Sequence, residues 1–151
     1  MNQKLRIILS PLFVFFFLFV GCTGTRPNYL GIKTDKLNNC PATPNCITSF
    51  ADPSDTVHYR SPVTYKKPLV EAYKILKERL EQSPRTKIIQ ENSNYIYTEF
   101  TSLIMRYVDD VEFYFDEKNK LLHFRSASRL GKSDLGVNRK RIESLLKDLD
   151  I

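Results

Sequence analysis

The chain opens with two basic residues, Lys4 and Arg6, followed by 14 residues without a charge, Ile7–Val20. Apolar residues never again cluster so densely. From residue 68 the pattern turns periodic. Leu69, Ala72, Tyr73, Leu76 and Leu80 recur at helical spacing, and Pro68 suits a first helical position while Pro84 stops the element. Four strand-like runs follow: Thr86–Glu91, Tyr95–Thr101, Tyr107–Asp116 and Leu121–Ser128. Asn92-Ser93-Asn94 and Asp116–Lys120 supply turns. Alternation is clearest in the third run. Tyr107, Asp109, Val111, Phe113 and Phe115 share one face, and Val108, Asp110, Glu112 and Tyr114 the other. Leu122, Phe124 and Ser126 of the fourth run join the Phe face. A last helix is predicted from Asp134 to Leu149, with Leu135, Ile142, Leu145, Leu146 and Leu149 as its stripe and Asp134 or Asn138 as cap.

A meander with one apolar face needs a cover, and two helices can provide it. The expected fold is therefore α+β: a two-layer domain in which a four-stranded antiparallel meander is covered by two helices. Residues 52–68 hold several prolines and predict irregular chain with a short edge strand near Val57–Tyr59. Residues 22–36 lack periodicity and read as a flexible tether, leaving 37–151 as the single domain.

The N-terminal run changes the picture most. A membrane-spanning helix wants about 20 apolar residues, so this run fits the core of a signal peptide over residues 1–21. It ends in Phe19-Val20-Gly21-Cys22, and a small residue before a Cys resembles a bacterial lipobox, although Phe19 replaces the usual Leu. The resemblance implies lipid, a palmitate-type acyl group, on Cys22, with the folded domain in the cell envelope. Thr23 after that Cys implies the outer membrane in a Gram-negative cell, with the domain in the periplasm or at the surface. Cleavage would remove Lys4 and Arg6 and no acid, so the net charge would fall from +6 to +4. That excess does not call for nucleic acid, and none is expected as a partner. Cys40 and Cys46 form a Cys-x5-Cys unit. Outside the cytoplasm it reads as a disulfide, with free thiols or half a metal site as rivals. With two histidines and no cofactor motif, neither a metal nor a cofactor is expected.

Two constellations could carry chemistry. The first is Asp109, Asp110 and Glu112, with Arg125 on the next strand. Coincident apolar faces restrict the hairpin register. A four-residue loop pairs Glu112 with Arg125, Phe113 with Phe124 and Phe115 with Leu122; a two-residue loop pairs Asp110 with Arg125. Either gives a cross-strand ion pair or, with Tyr114 and His123, a polar pocket on the uncovered face. The second runs from Arg129 to Arg141, with five basic residues and one acid. Cations in the first turns of a helix oppose its dipole, so an anion is wanted there. It is either a ligand or the acids at 109, 110 and 112. No G-x-S-x-G elbow accompanies the serines, and the two histidines, His58 and His123, give nucleophilic catalysis little support.

Three blocks carry a resemblance: Cys40-Pro41 with Pro44-Asn45-Cys46-Ile47-Thr48-Ser49; Tyr107 to Phe113; and Arg125 to Arg141. Over about residues 37–150 the chain resembles the domain-of-unknown-function family 1499, found in bacteria and photosynthetic eukaryotes. Thr48 stands where that family often has Ser. The resemblance implies one domain and no particular activity. The functional expectation is a non-catalytic lipoprotein that binds an anionic small molecule or an envelope protein. Arg125, Arg129, Arg139 and Arg141 would contact the anion, oriented by Asp109, Asp110 and Glu112. The alternatives are an envelope enzyme using Asp110 or Glu112 as base with Arg125 as electrostatic stabiliser, and a purely structural envelope protein.

Overall fold

The computed structural model describes residues 22–151; the expected signal peptide, 1–21, lies outside the described residues. The elements run β1 (Cys46–Thr48), β2 (Val63–Thr64), α1 (Leu69–Glu81), β3 (Thr86–Glu91), β4 (Tyr95–Thr101), β5 (Val108–Asp116), β6 (Leu121–Ser128) and α2 (Val137–Leu146). The domain is α+β, but its antiparallel sheet has six strands rather than four. Its order is β1-β6-β5-β4-β3, and β2 also pairs with β6. β1 lies against Arg125–Ala127 and β2 against Leu121–Leu122, so two short pieces share one edge. Runs of three and two residues are too short to show a period in sequence. The edge strand expected near Val57–Tyr59 shrinks to a single bridge between Tyr59 and Thr48.

The β5–β6 register is the four-residue-loop solution. Phe113 faces Phe124, Phe115 faces Leu122 and Glu112 faces Arg125. Asp116 closes the turn by accepting from the Asn119 backbone N–H (3.1 Å) and amide (2.6 Å). The Phe face forms the main core. Ala72, Leu76 and Leu80 of α1 and Ile142 and Leu145 of α2 pack on Val111, Phe113, Phe115, Leu122 and Phe124. Burying these side chains is the chief favourable term in folding.

The second face is covered too. Residues 26–36, which lie within the expected tether, run with Leu37 across it as an arm. Leu37 is buried against Tyr95, Tyr97 and Tyr114, with Leu30 and Ile32 packed alongside. Every residue of Val108–Phe115 is therefore buried.

The last helix is shorter than its pattern. Leu135 and Gly136 both have left-handed backbone (φ 54° and 77°), so the helix starts at Val137. Leu135 leaves the expected stripe and is 89% exposed. Asp134 still serves the helix N-terminus, accepting from the N–H groups of Gly136 (2.9 Å) and Asn138 (2.7 Å).

Cys40 and Cys46 are joined by a disulfide, which ties the end of the arm to the first residue of β1. Their sequence separation is six. Loop-closure entropy for so short a ring gives about 2 kcal/mol. The Cys40→Ser, Cys46→Ser double variant should lose roughly that amount in urea melts, and the reduced wild type should match it.

Candidate functional site

Alternation on β4, β5 and β6 sends Tyr95, Tyr97 and Glu99, then Asp110, Glu112 and Tyr114, then His123 and Arg125 to the arm-covered face. Cross-strand pairing puts them in rows: Tyr97 beside Glu112 beside Arg125, and Glu99 beside Asp110. Arg129, just past β6, turns back over the second row. Its Nε donates to both Asp110 oxygens (3.1 and 2.9 Å), and its Nη2 donates to Asp110 Oδ1 (2.7 Å), Tyr97 Oη (3.0 Å) and Glu99. Arg26 from the arm donates to Glu99 from the other side (2.6 Å). Burial alone would raise the Glu99 carboxyl, but these two guanidinium partners outweigh it and hold it below its ordinary value. Burial and the Asp110 carboxylate beside it push the Tyr97 hydroxyl up, so it stays a donor, with Asp110 Oδ1 at 2.5 Å.

The row above is less complete. Glu112 is fully buried, and its Oε1 accepts from the Gly31 N–H (2.7 Å) and the Tyr95 hydroxyl (2.9 Å). Arg125 is 1% exposed. Its Nη1 stands 3.5 Å from Glu112 Oε2, close enough for an ion pair but making no hydrogen bond. Among the described residues Arg125 Nε, Arg125 Nη1 and Glu112 Oε2 have no hydrogen-bond partner. Tyr29 of the arm closes the space, its ring 5.3 Å from the Arg125 guanidinium carbon. A buried ion pair is stable only when its remaining donors and acceptors are met. Burial raises the Glu112 carboxyl above its ordinary value, and the Gly31 N–H, Arg125 and Tyr95 only partly offset it.

On the helix-covered face Arg141 reaches from α2 to Asp109 (2.5 Å) and lies over the Phe100 ring (4.9 Å). Its Nη1 donates to Asn138 Oδ1 (2.6 Å) and Ser126 Oγ (3.2 Å). The Asn138 amide in turn donates to the Asn45 carbonyl and to Ser128 Oγ, both at 3.0 Å, and the Asn45 amide donates to the Gly131 carbonyl at 2.7 Å. The three blocks quoted from the sequence thus meet in one network. Arg139 lies apart, with Nη2 among the carbonyl oxygens of Thr56, Val57 and Tyr59.

The seven charged residues singled out in the sequence therefore do not converge. Arg125, Arg129, Asp110 and Glu112 share the arm-covered face, Arg141 and Asp109 the helix-covered face, and Arg139 binds loop carbonyls. Sequence reasoning missed two contacts. Ser49 Oγ is 2.9 Å from His123 Nδ1, but both are buried and Ser49 Oγ also accepts from the Phe124 N–H. His58 Nδ1 meets Asp55 at 2.7 Å while its Nε2 reaches the Thr43 carbonyl. Only the i, i+3 spacing of Asp55 and His58 was visible beforehand. A cleft of about 450 Å³ opens at one end of the sheet between Cys22, Tyr107, Leu130 and Val137. Among the described residues no group of three or more His, Cys, Asp or Glu is placed to hold a metal ion.

The arrangement defines a small α+β domain with an antiparallel sheet buried on both faces and charged groups paired inside it. A family model described as a protein of unknown function (DUF1499) matches residues 36–149, and the chain belongs to that family. No curated protein and no solved structure matches the chain.

Replacing Arg141 by Leu leaves Asp109 without its cation and should cost roughly 3 kcal/mol, while adding Asp109→Leu should recover most of it. Urea midpoints of the two single variants and the double variant measure that coupling. Glu112 supplies a pH test. A carboxyl raised in the folded state favours folding below its ordinary value of 4.5 and weakens it as pH rises through the folded value. Glu112→Gln keeps an acceptor for Gly31 and Tyr95 without the charge. Its stability should gain on the wild type between pH 4.5 and neutrality; parallel melts at the two pH values would refute this reading if the difference stays constant.

Proposed function

We propose that the protein is a non-catalytic binding domain of the cell envelope, attached to a membrane through lipid on Cys22, with a small anion as ligand at Arg125. The observation that carries the ligand is the guanidinium itself. It is buried, it keeps two nitrogens without acceptors, and its one acidic neighbour is biased toward the neutral form. A permanent cation so placed can take an oxygen anion on its unmet Nε and Nη1, in place of the distant Glu112 carboxyl. The arm is the way in. Tyr29 is 40% exposed and the Arg26 side chain at the arm's start is half exposed, so this stretch of the arm is where an anion would enter.

The pairing of Asp110 with Arg129 and the burial of Glu112 favour binding over an enzyme that uses either acid as base. A purely structural protein is the second reading, favoured by the internal partners of Arg129, Arg139 and Arg141. Membrane attachment through Cys22 is supported by the apolar run and the Gly21-Cys22 junction.

Inorganic phosphate added to the full chain tests the anion. At ten times its dissociation constant it should stabilise the wild type by about 1.4 kcal/mol, a rise of several degrees in melting temperature. The Arg125→Gln, Glu112→Gln double variant, which removes both charges of this pair, should fold and show no such rise. An equal rise in both proteins, or none in the wild type, would remove Arg125 as the site.

A further inference from the structure

The end of the sheet beside Cys22 carries an apolar surface that the domain does not use. The β4–β5 hairpin closes tightly there. The Ser102 N–H donates to the Tyr107 carbonyl (2.8 Å), and the Tyr107 N–H donates to Ser102 Oγ (2.9 Å). Arg106 completes the turn with a left-handed backbone (φ 60°). The tip so formed points Leu103, Ile104 and Met105 outward, with Ile104 76% exposed. Three consecutive apolar residues at a closed tip are a poor choice for a surface meant only for water.

A second loop lies across the cleft. Leu130, Leu135 and Val137 are exposed on it, and the cleft is lined by Tyr107 from the hairpin side and by Leu130 and Val137 from the other. Each loop adds an exposed cation, Arg106 and Lys132. The single acid in either segment is Asp134, already engaged by the Gly136 and Asn138 N–H groups.

The chain's own path identifies what meets this surface. Cys22 lines the same cleft, and its backbone N–H donates to the Met105 carbonyl (3.2 Å). Gly24 packs against Arg129 and Leu130. The apolar run Ile7–Val20 joins the domain two residues before Cys22. Whatever holds that junction to a bilayer brings the two loops to within a few residues of the headgroups. Apolar side chains flanked by cations suit that depth, where the former enter the acyl boundary and the latter meet lipid phosphates.

We infer that segments 102–107 and 130–137 form a membrane-resting face, in which Leu103, Ile104, Met105 and Leu135 enter an anionic lipid surface and fix the domain's orientation on it. The inference rests on the membrane attachment proposed above and adds a second, non-covalent contact to it.

The chain has no tryptophan, so one introduced residue is an unambiguous reporter. The full chain bearing Ile104→Trp, and a control bearing Val70→Trp on the exposed side of α1 (81% exposed), would be reconstituted in vesicles of phosphatidylethanolamine and phosphatidylglycerol. Flotation reads attachment, and fluorescence reads the face. The proposal expects both variants to float, with emission at 104 shifted to the blue and strongly quenched by brominated acyl chains. Emission at 70 should stay water-like and unquenched. Floating chains with water-like emission at 104 would overturn the resting face and leave the attachment standing. Chains that fail to float would overturn both. A blue shift at 104 that persists in detergent without lipid and escapes brominated chains would assign the surface to a second copy of this chain, and the proposal would fall.

Discussion

Strand β5 puts carboxylates at 109, 110 and 112 into a stretch where every side chain is buried. Carboxylates withdrawn from water need cations or donors at hand, and this requirement organises the domain. Asp109 recruits Arg141 and so fixes the first turns of α2 on the sheet. Asp110 recruits Arg129 and turns the chain after β6 back over the strands. Glu112 takes the Gly31 N–H and the Tyr95 hydroxyl and faces Arg125 across the hairpin. Through these three carboxylates the helix, the segment after β6, the arm and the hairpin are tied to the same central strand.

Those three ties differ in completeness, and the difference separates architecture from chemistry. Both oxygens of Asp110 are engaged, and Arg141 spreads its donors over Asp109, Asn138 and Ser126. Among the described residues the Glu112–Arg125 pair alone keeps unmet atoms on both partners. The helix-side network also answers the conflict of Arg139, Lys140 and Arg141 standing in the first turns of a helix. Asp134 supplies negative charge at the N-terminus, Arg141 is drawn away to Asp109, and Arg139 reaches loop carbonyls, so no external anion is needed at that helix end.

The hairpin was legible in the sequence to within two registers. Its period-2 alternation allowed a two- or a four-residue loop, and the structure takes the four-residue one, which puts Phe113 on Phe124 and Glu112 on Arg125. Helix α1 was legible for the same reason, with a clean stripe and proline at each end. The arm was not. Leu30, Ile32 and Leu37 have no period because the segment is bound side chain by side chain rather than through a ladder. Its partners, Glu99, Glu112 and Arg125, lie far along the chain. The start of α2 was misplaced because Leu135 continues the apolar pattern while its backbone is left-handed. The charged residues were found individually, but the separation of 109 from 110 onto opposite faces was weighed too lightly against their adjacency in sequence.

The arm carries a consequence for the order in which the domain is made. Its contacts span 73 residues from Arg26 to Glu99, 81 from Gly31 to Glu112 and 96 from Tyr29 to Arg125. Such long separations slow folding. Within the described chain the segment synthesised first is among the last to find its place, since β4, β5 and β6 must all exist before it has a surface to lie on. Until then the tyrosine-lined face of the sheet stays wet, and its buried-to-be charges are solvated at no cost. The arm's closure is thus the step at which this face turns from a hydrated surface into an interior.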